Sequence, residues 1–133
     1  MELQVGQAER LSKKIISEDL FLFAKLSLDE NPIHLDETYA EGTIFKKRIA
    51  HGMYVASLLS AVIANKLPGR GTIYLGQNLK FLKPVFLGDE ITATVEVIEI
   101  PKPGQVRLKT QCINQNGEVV IDGDALVKPP RAI

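Results

Sequence analysis

Cysteine and net charge are both scarce in this sequence. Cys112 is the only cysteine in 133 residues, so no disulfide can form within the chain and the cytosol is the expected compartment. Its place in an alternating run predicts a small buried strand residue, because free cysteines usually pack as hydrophobic side chains. Sixteen basic residues balance sixteen acidic ones, with no long block of either sign. The sequence therefore predicts no binding to nucleic acid or to an anionic membrane surface.

Long apolar runs are missing as well. The most apolar segment, residues 52–64, has only about a dozen apolar residues, fewer than the ~20 that are needed to span a bilayer. It is apolar on nearly all sides, so it is predicted to be a helix that protein encloses. The N-terminus lacks a basic patch followed by an apolar block, so no export signal is expected.

The remaining composition predicts one domain spanning residues 1–133. With 45% apolar residues, the chain can bury one core but is too short for two independent domains. A strand is expected over residues 10–17 and a helix over residues 18–26. Ser17 is the predicted N-cap of that helix, and Asn31-Pro32 is predicted to end it.

From residue 71 onward the pattern changes to strands. Period-two alternation marks four of them, and turn signals such as Asn114-Gln-Asn-Gly117 separate them, which predicts an antiparallel meander. A curved sheet wrapped around the apolar helix would hide most of its sides, and this α+β architecture is the hot-dog fold. The open sheet edges and the uncovered part of the helix predict a homodimer. The strands are expected at residues 71–82, 90–100, 106–113 and 119–128.

Chemically capable side chains are concentrated in one stretch. Asp29, Asn31 and His34 place a carboxylate, an amide and an imidazole within six residues. Pro32 prevents a continuing helix, so residues 29–34 are expected to be irregular backbone from which side chains can converge. Such a group can hold and activate a water molecule. The sequence therefore predicts an enzyme.

The spacing of these residues resembles a known family motif. The pattern is similar to the hydratase-2 motif of the MaoC-like dehydratases, and the chain most resembles the (R)-specific enoyl-CoA hydratases that feed polyhydroxyalkanoate synthesis. The resemblance implies the hot-dog fold, a homodimer and reversible hydration of trans-2-enoyl-CoA to (R)-3-hydroxyacyl-CoA. The matching residues are Asp29-x-Asn31-Pro32-x-His34-x-Asp36, then Ala40 and Phe45, then Ile49-Ala-His51-Gly52-Met53.

The resemblance also implies roles for individual residues. Asp29 and His34 match the catalytic carboxylate and imidazole, and Asn31 matches an asparagine that positions the water or the substrate. Gly52 matches the residue whose backbone N–H faces the thioester oxygen, a role that suits an unpaired N–H at the start of a helix. Ser57 is a second positioning candidate, with a hydrogen bond back onto its own helix as the alternative.

The other polar residues near the motif are expected to be structural. Asp36 is predicted to be a turn or cap residue, and His51 a structural histidine beside the glycine. No metal site is predicted, because His34, Asp36 and His51 lack the ligand spacing typical of hydrolytic zinc sites. No cofactor is expected, and the only predicted partners are an acyl-CoA thioester and a second copy of the chain.

Other functions on the same fold stay open. Other hot-dog families, the acyl thioesterases and the dehydratases of acyl-carrier-protein substrates, place their catalytic carboxylate on the central helix. Residues 52–65 contain no Asp or Glu, which is evidence against both. A hydratase or dehydratase that acts on acyl-carrier-protein thioesters through the same motif is an alternative, because both carriers present a phosphopantetheine arm. A non-catalytic acyl-CoA-binding dimer is a third reading, which the acid–base pair of Asp29 and His34 disfavours.

Overall fold

The computed structural model describes residues 2–130, and the predicted α+β class is confirmed. No helix within these residues is long and apolar enough to cross a membrane. The elements are β1 (Ala8–Lys14), α1 (Ser17–Ser27), α2 (Pro32–Leu35), α3 (Glu37–Glu41), α4 (Gly52–Asn65), β2 (Ile73–Phe81), β3 (Glu90–Lys102), β4 (Gln105–Ile113) and β5 (Val119–Lys128).

The five strands form one antiparallel sheet in the order β1-β3-β4-β5-β2. Strands β3, β4 and β5 form the predicted meander. The prediction is wrong for β2, which pairs with β5 instead of β3. After β2 the chain does not form a hairpin with β3, because residues 84–89 first pass the residues that lead into α4. There Ala50 donates its N–H to the Val85 carbonyl at 2.7 Å, and Ile49 forms a β-bridge with Phe86.

A glycine makes the close pairing of β2 with β5 possible. Gly123 of β5 lies directly against the main chain of Asn78 of β2, and a Cβ at Gly123 would overlap the Asn78 carbonyl. Glycine often marks such a point of close backbone approach within a strand. The edge position of β2 therefore depends on the absence of a side chain at Gly123.

Helix α4 lies at the centre of the core. It packs against β1, β3 and β4, so the predicted buried helix is confirmed. Its enclosure within one chain is incomplete, since Met53 is 60% exposed and Ser57 is exposed on the same helix. The buried residues of α4 are Tyr54, Val55, Ala56, Leu58, Leu59, Val62 and Ile63.

Helix α1 confirms the helix predicted over residues 18–26 to within one residue at each end, but its two end signals differ from those predicted. It starts at Ser17, with Ile16 in the N-cap position and no side-chain cap, so the predicted Ser17 cap is wrong. The Ser17 hydroxyl instead accepts a hydrogen bond from Arg48 Nη1 at 2.9 Å. The helix ends at Ser27, because Leu28 is left-handed with φ of 68°. It therefore stops well before Pro32, which was predicted to end it.

Two short helices follow α1, and the first of them begins within residues 29–34, which were predicted to be irregular. Pro32 is the first residue of α2, where its missing N–H costs no helical bond. The Asn31 side chain caps α2 by accepting from the Ile33 N–H at 3.3 Å. Asp36 caps α3 in the same way, accepting from the Tyr39 N–H at 3.0 Å, which confirms its predicted role. Local caps can therefore start helices directly around the proline.

Cys112 is fully buried on β4. Its sulfur lies 3.8 Å from the Val55 carbonyl oxygen. Burial raises the pKa of the Cys112 thiol to about 12, so the thiol stays protonated at neutral pH. The prediction of a buried strand residue is confirmed.

Candidate active site

Asp29 lies in the turn between α1 and α2. Leu28 ends α1 by donating its N–H to the Ala24 carbonyl at 2.9 Å. Leu28 is left-handed, as the residue that ends a helix commonly is, and this conformation costs a non-glycine residue roughly 1–2 kcal/mol. The Asp29 N–H then donates to the Ser27 hydroxyl at 3.1 Å, and the Asp29 carboxylate accepts from the Asn31 N–H at 3.3 Å. The turn therefore holds an exposed carboxylate directly before α2.

His34 reaches the same place from α2. It is 8% exposed, and its Nδ1 lies 2.8 Å from the Ile49 carbonyl oxygen. Because a carbonyl can only accept, Nδ1 carries the proton and Nε2 keeps the free lone pair of the neutral ring. Arg48 Nε donates to the His34 carbonyl at 2.7 Å. These two bonds join α2 to residues 48–49 and make Nε2 the atom that is able to act as a base.

His51 joins the cluster from the start of α4. Its ring is stacked on the His34 ring, with centroids 3.9 Å apart and planes inclined by 28°. Its Nε2 donates to the Asp29 carbonyl at 3.0 Å. One carboxylate oxygen of Asp29 and one ring nitrogen from each histidine lie within 4.8 Å of one another. The structure therefore brings the predicted pair, Asp29 and His34, together and adds His51.

These three residues are of the types that bind metals, but their geometry favours acid–base chemistry. The lone pairs of an imidazole lie in the ring plane and must converge on one zinc ion at about 2.0–2.1 Å. Stacked rings at 3.9 Å with planes 28° apart direct their lone pairs side by side. His51 also uses its Nε2 in the bond to the Asp29 carbonyl, which leaves it only a nitrogen that is closed off from solvent. Asp36, considered with the two histidines in the sequence, lies apart as the cap of α3.

A cavity of about 390 Å³ joins His34 to the start of α4. Gly52 is the first residue of α4, so its N–H has no acceptor within the helix. No acceptor for it is found elsewhere within residues 2–130. The Phe81 ring covers Gly52, since a Cβ there would lie 2.7 Å from Phe81 Cε1. Asp29 lies beside the cavity and does not line it. Most of the wall is apolar and includes Ile49, Ala50, Val55, Phe81, Val85 and Ile121.

The two predicted positioning residues are placed differently. Asn31 comes between Asp29 and His34 in the sequence but is not among the residues that line the cavity. Its side-chain oxygen caps α2, which leaves its amide N–H groups as donors. The Ser57 hydroxyl donates to the Tyr54 carbonyl at 2.5 Å, which is the alternative bond within its own helix. Ser57 also faces a different surface depression, and the structure does not bring it into the cavity with His34. Its positioning role stays a prediction.

The family follows from the sequence as a whole. Residues 3–118 match the family model described as MaoC like domain. The chain belongs to the MaoC-like family. This MaoC-like protein is 48% identical over 130 residues to a curated (R)-specific enoyl-CoA hydratase of Rhodospirillum rubrum, and the match covers 97% of this chain and 90% of the relative.

Solved structures agree with the fold of this MaoC-like chain. The R-hydratase PhaJ1 from Pseudomonas aeruginosa superposes with a TM-score of 0.95 at 50% identity, covering 98% of this chain and 84% of that one. The (R)-hydratase from Aeromonas caviae involved in PHA biosynthesis gives a TM-score of 0.94 at 46% identity, covering 96% and 98%. The predicted family resemblance and the predicted hot-dog fold are confirmed.

Two residues of the MaoC-like site were missed in the sequence. Arg48 is 6% exposed and binds the His34 carbonyl, the Ser17 hydroxyl and Glu37. Phe81 covers Gly52 from the end of β2. Arg48 follows two lysines, so nothing in the local sequence distinguishes this buried arginine from an ordinary exposed one. Phe81 lies in a strand pattern, where a covering role over a distant helix leaves no local signal.

Proposed function

We propose that this MaoC-like protein is a hydro-lyase that adds water to trans-2-enoyl-CoA, giving (R)-3-hydroxyacyl-CoA, and also catalyses the reverse dehydration. The observation that carries the proposal is the meeting of the Asp29 carboxylate with the His34 imidazole, beside a cavity that both His34 and Gly52 line. Relatives with 46–50% identity that are named as (R)-specific hydratases support it.

Asp29 and His34 divide the proton transfers. His34 Nε2 takes a proton from water as the water oxygen bonds to C3 of the enoyl group. That proton then passes from His34 to C2 by way of the Asp29 carboxylate, so one water has been added across the double bond and both side chains end as they began. Because both groups lie in one cluster, hydroxyl and proton reach the same face of the double bond. Asn31 holds the water or the substrate through its amide N–H groups.

Gly52 stabilises the charge that develops on the thioester oxygen. The Gly52 N–H has no acceptor among residues 2–130, and it lies at the first turn of α4, where the helix dipole favours negative charge. A fixed donor in a site with apolar walls acts more strongly on a developing oxyanion than it would in water. The enolate-like state is therefore stabilised more than the bound substrate, which is the requirement for catalysis.

The proposed reaction is tested with crotonyl-CoA and the purified protein. We expect loss of the enoyl absorbance and formation of the (R) product alone, assigned with stereospecific 3-hydroxyacyl-CoA dehydrogenases. If the protein is inert but still binds CoA, the proposed enzyme is wrong and the non-catalytic acyl-CoA-binding dimer is the supported function. Formation of the (S) product would contradict the proposed (R) stereochemistry, because water would then attack the opposite face of the double bond.

Coenzyme A is the proposed carrier of the acyl group. Three relatives that are 46–48% identical over nearly the whole chain are named as CoA-thioester enzymes, which supports this choice. An acyl-carrier-protein thioester is the alternative, since the reacting arm is the same. The Aeromonas caviae hydratase is described as involved in PHA biosynthesis, which supports polyhydroxyalkanoate synthesis as the use of the (R)-hydroxyacyl product here. A cytoplasmic location and a single domain over residues 1–133 complete the proposal.

A homodimer through β2 is the proposed assembly. Strand β2 is one edge of the sheet, and it carries apolar residues such as Ile73 and Leu75, which are 54% and 48% exposed. An exposed apolar edge is a template for pairing with another chain. The opposite edge, β1, carries exposed charges such as Lys13 and Lys14, which protect an edge from pairing.

The variant Ile73→Lys/Leu75→Lys tests this assembly. Two charges in the interface should convert a particle of twice the 14.7 kDa chain mass into one of 14.7 kDa in light scattering. Ser12→Lys on exposed β1 is the matched control and should stay dimeric. A monomeric wild-type protein, or a double variant that stays dimeric, would contradict the β2 interface.

A further inference from the structure

Packing alone does not call for a histidine at position 51. His51 is the N-cap residue of α4, yet its side chain makes no capping bond. Its ring is 1% exposed and packs against the rings of His34 and Phe23. Its Nδ1 is buried without a hydrogen-bond partner among the described residues. A phenylalanine would occupy similar space and leave no nitrogen unpaired. The reason for a histidine at this position must therefore be the hydrogen bond that its other nitrogen, Nε2, makes.

That other nitrogen binds the main chain of the carboxylate residue. His51 Nε2 donates to the Asp29 carbonyl at 3.0 Å, across 22 residues of sequence. The turn that carries Asp29 follows a left-handed Leu28 and is exposed, so it has few contacts with the core. The bond from His51 ties this turn to the buried start of α4.

The same ring also contacts the second member of the pair. The stacking of His51 on His34 at 3.9 Å restricts the rotation of the His34 ring. The Nδ1 bond of His34 to the Ile49 carbonyl fixes which edge of that ring is free. One buried side chain therefore touches both residues whose separation governs proton transfer.

We propose that His51 is a positioning residue, which sets the separation of the Asp29 carboxylate and the His34 imidazole through one hydrogen bond and one ring stack. Its effect on turnover depends on the function proposed above, whereas its effect on the Asp29 turn does not. Ground-state affinity is expected to change little, because the carboxylate and imidazole act on the reacting atoms and the cavity holds the rest of the substrate.

His51 itself takes no part in proton transfer to the substrate. Burial lowers the pKa of His51 from its usual 6.5, with the neighbouring His34 acting in the same direction and the bond to Asp29 opposing it. The ring is therefore neutral at neutral pH. Its one proton is used in the bond to Asp29, and its other nitrogen is closed off from solvent.

Two substitutions separate the hydrogen bond from the ring. His51→Phe keeps an aromatic ring against His34 but removes the N–H, whereas His51→Gln removes the ring and keeps an N–H of similar reach. On crotonyl-CoA we expect His51→Phe to lower kcat by about tenfold to a hundredfold with KM within about threefold. We expect kcat of His51→Gln to exceed that of the Phe variant by at least about fivefold.

Amide hydrogen exchange gives a readout that is independent of activity. The Ile33 and His34 N–H groups bond to Asn31 in the turn, so their exchange should accelerate by at least about tenfold in His51→Phe and stay near wild type in His51→Gln. Wild-type kcat per folded molecule, or wild-type exchange, in the Phe variant would overturn the proposal, as would equal losses in both variants. If the wild-type protein hydrates no enoyl-CoA, the proposed function is wrong. The exchange experiment would still decide whether His51 positions the turn.

Discussion

Replacing His34 with glutamine is expected to lower kcat for crotonyl-CoA hydration by at least about a hundredfold, the low end for a positioned acid or base. Glutamine fills similar space but has no nitrogen that accepts a proton at neutral pH, so water loses its base. KM should change little, because this proton moves only in the transition state. Initial rates of enoyl loss measure the effect, with circular dichroism as the check that α2 and the sheet are intact.

Asp29→Asn should cause a loss of the same order, again at least about a hundredfold. The double variant should be little worse than either single one, since residues that act as a unit are not additive. Asp36→Asn is the matched control, because Asp36 caps α3 and asparagine caps a helix equally well; its kcat should stay within about twofold of wild type. Near-normal hydration by the His34 or Asp29 variant would refute the assigned pair.

The second large effect is expected from Gly52→Ala, which should lower kcat/KM by roughly a hundredfold. The new Cβ would lie 2.7 Å from Phe81 Cε1, so the ring must move and the methyl group occupies the approach to the Gly52 N–H. The thioester oxygen then loses its donor although the N–H itself remains. Kinetics with crotonyl-CoA measure the loss in kcat/KM.

Gly42→Ala is the control for a methyl group added at a helix end. A Cβ at Gly42 would meet the Tyr39 carbonyl at 3.5 Å, an ordinary contact, and Gly42 lies outside the cavity walls. Its activity should stay within about twofold of wild type. Gly52→Ala should not unfold the protein, since alanine is the better helix former. A Gly52→Ala enzyme with full kcat/KM would refute the oxyanion role of that amide.

The elements of this fold were predictable because each has a pattern of its own. Period-two alternation marks β3 to β5, and an apolar sequence without acidic residues marks α4 as a buried helix. The pairing of β2 with β5 was not predictable in the same way. It depends on where residues 84–89 cross α4 and on the bare Gly123 against Asn78, and neither feature changes the local pattern of β2.

The candidate site was also predictable only in part. Asp29, Asn31 and His34 were found because they are close in sequence and chemically unusual together. The bonds that place them were not found, because they end on main-chain carbonyls that every residue possesses. Arg48 binding the His34 carbonyl and His51 binding the Asp29 carbonyl are of this kind. The intrahelical bond of Ser57 was recognised as an alternative but could not be chosen without coordinates.

The dependence of both histidines on carbonyl acceptors has a consequence for protein engineering. Neither ring is hydrogen-bonded to a side chain that could be transplanted with it, since His34 binds the backbone of Ile49 and His51 that of Asp29. Grafting the aspartate-to-histidine loop alone onto a new scaffold would leave His34 without the Ile49 carbonyl and the Asp29 turn without its bond from His51. A designer would have to move the loop and the first turn of the central helix as one rigid block, whereas the side chains of residues such as Ile49 could be redesigned freely as long as the cavity keeps its shape.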